Sequence, residues 1–342
     1  MKILFGSYSA ISVLGGGIKV QMTNLAYHLQ KFGYEIEIFK PTQDYNLKEF
    51  DLFHLFGAHL GTYHFGRAMH SLGMKMVVTP IFFSKRNPIQ LYWLTKLAKG
   101  LRHFGGIWTE HLFTQELCAM AKIVTPNTEK EALLLTKGLK VNKEKIKILP
   151  NGVDEKFYNA NPELFIQDYK LRDFILYVGH IGWRRKNLLA LIKALARIDR
   201  KAVFIGPVLE TDYAKILLAE IKKNKNIILI PNLPPNSPLL ASAYAACDVF
   251  VLPSYYETPG LAALEAGLAG AKIVITKYGG TCEYFADYAE YIEPRSIQSI
   301  KNGIIKALNK KKDKTLAEHI KNNFLWEKAS QRLVEIYRLL TG

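Results

Sequence analysis

The stretch Asp248-Val-Phe-Val-Leu-Pro-Ser-Tyr-Tyr-Glu257-Thr-Pro-Gly-Leu-Ala-Ala-Leu-Glu265-Ala-Gly267 decides how the chain is read. Residues 248–253 form a short apolar run that stops at a proline, the signature of a strand covered on both faces. A short loop then presents Glu257. Thr258 is placed to cap a helix whose first residue is Pro259, where a missing N–H costs least. If Glu265 lies on that helix, six residues past Pro259, it stands roughly 9 Å further along the axis. Carboxylates so separated are no coupled acid–base dyad. They suit two parts of one long ligand, with the N–H groups of Gly260 and Leu261 between them for an anion. The plainer alternative is a capped core helix with one surface and one buried glutamate.

Similar runs recur at 2–7, 34–40, 51–56, 75–82, 122–126 and 146–150, then at 174–179, 202–206, 226–231 and 272–276, separated by longer helical patterns. Strands alternating with helices predict parallel sheets, and the 342 residues suffice for two domains with a core each. The expected fold class is therefore α/β, with two doubly wound, Rossmann-like domains. Pro150-Asn151-Gly152-Val153-Asp154 marks the join. The expected domains are 1–153 and 154–323. Residues 324–342 form an amphipathic closing helix with Leu325, Ala329, Leu333, Ile336 and Leu340 at helical spacing.

Composition makes disorder a poor default, and no uncharged stretch reaches the length of a membrane-spanning helix. Hydrophobic residues make up 49% and charged residues 22%, and the apolar stretch 261–275 is broken by Glu265 and Lys272 before a span is long enough. The opening residues read as strand and loop rather than a signal peptide, because Ser7, Tyr8, Ser9 and Gly15–Gly17 interrupt them. Cys118, Cys247 and Cys282 form no C-x-x-C pair and no even-numbered framework, which points to a reducing cytoplasm. The net charge of +16 is shared by both halves and calls for acidic partners: nucleic acid, anionic lipid or nucleotide phosphates.

Three further features carry chemistry. Tyr177-Val-Gly-His180-Ile-Gly-Trp-Arg184-Arg185-Lys186-Asn187 follows a strand, and its three consecutive cations suit a phosphate better than a core, or else form a solvated loop. Gly15-Gly16-Gly17 opens a helical pattern and permits close backbone approach to an anion. It lacks the full G-x-G-x-x-G, and Lys40 stands where a nicotinamide site needs an acid. No Asp or Glu occurs from Leu52 to Thr109, although seven cations do. Within that stretch residues 89–104 read as a helix with Leu94, Leu97, Leu101 and Phe104 on one side and Lys96, Lys99 and His103 on another. Such a helix suits an anionic membrane surface, or is an ordinary core-facing helix with a solvated face. His54, His59, His64 and His70 lack metal-ligand spacing, so no metal site is expected.

Glu257 to Glu265 resembles the E-x7-E motif of glycosyltransferase family 4, retaining nucleotide-sugar enzymes with the GT-B fold, whose two domains face each other across a cleft. The resemblance implies that Glu257 contacts the donor sugar, that Gly260 with Leu261 holds the diphosphate, that Glu265 binds the ribose, and that Thr258 and Pro259 between them also belong to the donor site. Lys186 matches the lysine of the family's G-R-x(4 or 5)-K-[GN] element. His180 replaces its arginine, so either Arg184 or Arg185 substitutes, or phosphate affinity depends on pH. The catalytic residues implied are Glu257, Lys186 and Arg185. Gly16 and Gly17 resemble the N-terminal glycine pair near donor phosphate and acceptor, Asn232 and Leu233 the loop at the base, Gly279-Gly280 the late G-G-x-x-E element, and Trp326 the entry to the closing helix. One departure stands out: the acceptor-side histidine is absent from Pro80-Ile-Phe-Phe-Ser84.

The resemblance implies a hexosyl transfer from a UDP-, GDP- or ADP-sugar co-substrate to an acceptor hydroxyl in cell-surface glycan synthesis. It implies no other cofactor and no metal, and the chain has no D-x-D. Expected partners are the donor, a glycan or lipid-linked acceptor, and an anionic membrane surface met by residues 85–104, which makes the protein peripheral at the inner face. Rivals are a soluble-acceptor glycoside synthase, an epimerase or phosphorylase of the same fold, and a basic nucleic-acid binder. The last lacks any helix-turn-helix or interleaved aromatic and basic motif, so no nucleic acid is expected.

Overall fold

The computed structural model describes residues 1–105, 109–231, 233–234 and 236–340. The chain divides into two compact units: Met1–Gly152 together with the segment from Trp326 onward, and Val153–Leu325.

In the first unit, five parallel strands, β1 (Lys2–Gly6), β2 (Glu35–Ile38), β3 (Leu52–Phe56), β4 (Met76–Thr79) and β5 (Ile123–Val124), stand in the order β2-β1-β3-β4-β5. β3 and β4 are buried at every residue, which is why they read as unbroken apolar runs. The order reverses between β1 and β3, so the loops after these strands flank the crevice where open sheets take ligands. Gly15 and Gly16 lie there with φ of 64° and 96°, and Gly16 is the N-cap of the helix Gly17–Lys31. The expected strand at 146–150 does not form. Ile146 makes one bridge to Val124, and Pro126, lacking an N–H, stops the ladder.

The closing helix Trp326–Arg338 packs on Gly17–Lys31 and buries Trp326, Ala329, Leu333, Ile336 and Tyr337. The Tyr337 hydroxyl meets His54 Nδ1 at 2.5 Å, and His54 Nε2 meets Thr79 Oγ1 at 2.8 Å. Burial pushes the His54 imidazole down to about 3, so it is neutral. The return to the first unit begins two residues later than expected. The Phe324 carbonyl accepts the Val153 N–H at 2.8 Å and Leu325 bridges Val153, so both belong with the second unit. Gly152 has no alternative: a Cβ there would lie 2.6 Å from the Trp326 backbone.

The helix Pro88–Gly105 forms, and the stripe it buries is not the leucine row that the core-facing alternative would bury. Leu91, Thr95 and Ala98 pack inward, with Leu91 against Gly138, while Ile89, Trp93, Leu97 and Leu101 are 71%, 59%, 62% and 42% exposed. The residues i, i+4 and i+7 from Leu91 present a narrower stripe that tucks between neighbours, and the larger side chains are turned out. Lys96 and Lys99 are exposed, and Arg102 pairs with Glu116. The His103 and Phe104 side chains fall outside the described residues. Among the described residues, no helix is long and apolar enough to cross a membrane.

The second unit has six parallel strands, β6 (Ile175–Val178), β7 (Ala202–Ile205), β8 (Ile227–Ile230), β9 (Val249–Leu252), β10 (Lys272–Thr276) and β11 (Ala289–Ile292), in the order β11-β10-β9-β6-β7-β8. β11 was not foreseen. Ala-Glu-Tyr-Ile reads as no strand because its Glu290 is an edge residue held by Lys306 at 2.9 Å and Lys310 at 2.5 Å. The reversal lies between β6 and β9, registered as Ile175↔Val249 and Leu176↔Phe250. The loops leaving these two strands hold the residues singled out above.

Candidate active site

β9 ends at Leu252, and the chain passes through Pro253 to Glu257 before the helix Leu261–Leu268. The helix starts later than the sequence suggests. Its N-cap is Gly260, at φ 81° and ψ 72°, and no side chain caps it. Thr258 and Pro259 therefore lie in the loop, because a glycine able to take the left-handed conformation sets the entry angle. Glu265 is the fifth helical residue, so it stands only about 6 Å along the axis from Leu261. The first N–H groups, at Leu261 and Ala262, have no intrahelical acceptor.

Glu257 is 7% exposed, and its Oε1 accepts from Lys186 Nζ at 2.7 Å and forms an ion pair with Arg185 Nη1 at 3.2 Å. Burial works against its charge, but the two cations outweigh it and hold the carboxyl down at about 2. Burial lowers Lys186 in turn, and Glu257 opposes that. Two cations on one carboxylate leave the cluster with net positive charge.

Both loops are held rigidly. Asn187 adopts φ 57°, is buried, and its Nδ2 donates to the carbonyls of Pro253 (3.1 Å) and Pro294 (2.6 Å). The Gly-or-Asn position after Lys186 is thus explained by its left-handed backbone, a signal the sequence carried without its cause. Gly280 N–H donates to the Glu257 carbonyl at 2.9 Å, and the Glu257 N–H donates to the Tyr278 carbonyl at 3.1 Å. Gly279, at φ 97°, faces that same carbonyl, and a Cβ there would stand 1.8 Å from its oxygen.

The neighbouring candidates separate. Arg185, which also donates to the Tyr256 carbonyl at 2.9 Å, is the arginine brought to Glu257. Arg184 lies over the Tyr213 ring at 4.7 Å. His180 stacks on Trp183, with centroids 4.1 Å apart and planes within 11°. Burial, then Lys186 and Arg185, lower its pKa, so it is a neutral aromatic surface rather than a phosphate-binding cation. Glu265 stands apart from the cations: its Oε2 accepts from the Tyr244 hydroxyl at 2.7 Å, and burial pushes its carboxyl up to about 7. Sequence reasoning missed Tyr244, which reads as one more apolar residue of its helix. Leu233 packs against the core of the second unit, and Asn232 falls outside the described residues. Gly16 and Gly17 belong to the first unit. Among the described residues, no three His, Cys, Asp or Glu side chains are grouped to hold a metal ion.

Two doubly wound sheets, the second bearing a cation–carboxylate cluster at its switch point, define the GT-B class. Solved structures share this fold along the whole chain. Sucrose-phosphate synthase of Thermosynechococcus elongatus matches with a TM-score of 0.77 at 17% identity, covering 100% of this chain and 99% of that one. The HepE protein of Anabaena in complex with UDP and glucose matches at 0.72 and 19%, covering 99% of each. Residues 165–325 match the family model of glycosyl transferases group 1. An uncharacterized glycosyltransferase of Methanocaldococcus jannaschii is 25% identical over 254 residues, 67% of this chain, and the chain spans 62% of that relative's length.

Proposed function

We propose that the chain is a retaining glycosyltransferase of family 4, moving a hexose-type sugar from a nucleoside diphosphate to an acceptor hydroxyl. The observation that carries this reading is the pairing of Lys186 and Arg185 with Glu257 at the switch point of the second sheet. Departure of the diphosphate builds negative charge there, and preorganised positive charge lowers the barrier most where charge develops. Lys186, Arg185 and the first N–H groups of the helix Leu261–Leu268 receive the diphosphate, Glu257 orients the sugar, and Glu265 takes the ribose. The bond from sugar C1 to the diphosphate oxygen breaks. The acceptor oxygen bonds to C1 on the same face, and its proton leaves with the phosphate. The nucleotide sugar is the co-substrate, and no further cofactor is assigned. UDP, GDP and ADP sugars are the candidates, and the UDP held by the Anabaena neighbour makes UDP the first to try. The test is a calorimetric screen of the three diphosphates and their hexoses, followed by transfer assays. A Glu257→Ala protein that still transferred sugar at the wild-type rate would sink the reading.

The acceptor is proposed to be lipid-linked, in synthesis of a cell-surface glycan. What supports this is the helix Pro88–Gly105, whose exposed Ile89, Trp93, Leu97 and Leu101 lie beside Lys96 and Lys99, with the Lys96 ammonium 5.0 Å from the Trp93 ring. An apolar row edged by cations suits the inner, anionic face of a membrane, at about 1 kcal/mol per cation near the surface.

A further inference from the structure

Tyr244 lies on the helix Pro238–Ala246 and is fully buried, its ring edge-on to Phe157 with centroids 5.7 Å apart and tilted against Phe250 at 5.9 Å. With the ring so clamped, its hydroxyl has one place to point, and there it donates to Glu265 Oε2. The Glu265 backbone is equally fixed, one turn into a helix whose Gly267 packs on Leu316 and Ile320. Among the described residues Oε1 makes no hydrogen bond and the side chain is only half-buried, so one oxygen is held and the other is left without a donor. The remaining charged neighbours are Lys156 and Asp154, which pair with each other at 3.1 Å.

A carboxylate oxygen without a donor has two lone pairs and accepts from two adjacent hydroxyls at once. A glutamate free to rotate would first have to be ordered, at a cost in side-chain entropy. We propose that Tyr244 is a positioning residue for ribonucleotide recognition: by holding Oε2 it presents Oε1 to the vicinal hydroxyls of the donor's ribose. The inference rests on the assignment of Glu265 to the ribose and adds what makes that carboxylate selective for a ribose over a deoxyribose.

The test uses the full chain and titrates UDP, GDP and ADP, and their 2′-deoxy forms, from pH 6 to 9 into wild type, Tyr244→Phe and Glu265→Gln. Wild type is expected to prefer the ribose form of its nucleotide by about tenfold or more, the scale of a hydrogen bond to a charged group. That preference is expected to fall toward parity in both variants. In Tyr244→Phe, the pH at which affinity is half-developed is expected to move upward, because the carboxylate loses a donor that favoured its ion. If Tyr244→Phe keeps both the preference and the pH midpoint, the positioning role is overturned. It is likewise overturned if ribose and deoxyribose forms weaken equally with the midpoint unmoved, since that is lost packing. Glu265→Gln separates the two ideas: loss of the preference there alone overturns Tyr244 and keeps the ribose site. A wild type that binds none of the diphosphates overturns the site and the inference together.

Discussion

The side-chain amide of Asn187 spans from the turn that carries Lys186 to the carbonyl of Pro253, just past the end of β9, at 3.1 Å. One residue thereby sets the separation of the two loops whose side chains pair as Lys186 and Glu257. Asn187→Gly should keep the left-handed backbone and lose both amide hydrogen bonds. Asn187→Ala should lose the bonds and add roughly 1–2 kcal/mol of backbone strain. Thermal unfolding is expected to rank them wild type, Gly, Ala, and equal stability of the two variants would show that the backbone is not constrained.

Removal of the carboxylate should destabilise the empty protein more than removal of the lysine. Glu257→Gln leaves Lys186 and Arg185 facing each other without a counter-charge, whereas Lys186→Met leaves Glu257 with Arg185. Breaking a buried pair this way costs on the order of 3 kcal/mol. The same Glu257→Gln is expected to bind bare diphosphate at least as tightly as wild type, yet to lose transfer by about a hundredfold or more. Calorimetry beside turnover checks the split, and parallel losses would place Glu257 on the phosphate rather than the sugar.

The two glutamates should give stability opposite dependence on pH. Glu257 is held at about 2, below its unfolded value, so its contribution is complete above about pH 4.5 and is lost as pH falls toward 2. Glu265 is raised to about 7, so the folded state holds its proton more firmly and stability declines as pH rises from about 4.5 through 7. Denaturant midpoints across pH 3 to 8 should show the second slope disappear in Glu265→Gln and the first in Glu257→Gln.

Vesicle co-sedimentation examines the exposed helix row. Wild type is expected to sediment with vesicles rich in anionic lipid, and Trp93→Ser with Leu97→Ser, or Lys96→Glu with Lys99→Glu, should release it. Replacing Arg102 should do little, since it already pairs with Glu116. Binding left intact by both double variants would favour a soluble acceptor.

Much of the fold was legible because buried parallel strands are apolar at every position. β3, β4 and β9 read plainly, while β11 did not, its second residue being a glutamate held by two lysines. The glutamates of the candidate site were singled out from their spacing and from the family resemblance. Three features were not. Gly260 sets the helix start through a backbone angle, Arg185 rather than Arg184 turns to Glu257 through the twist of a single turn, and Tyr244 meets Glu265 across two helices. None of these leaves a mark in residue spacing. The helix Pro88–Gly105 shows the converse: its period was evident, but which stripe is buried depends on Gly138, far beyond the helix in sequence, which receives Leu91.

Gly279 brings no functional group to the site, yet the space beside the Glu257 carbonyl is closed to any β-carbon. A saturation library scored by activity should therefore rank position 279 with position 257, tolerating no replacement at either. A reader of such a map who equated intolerance with chemistry would count one participant too many.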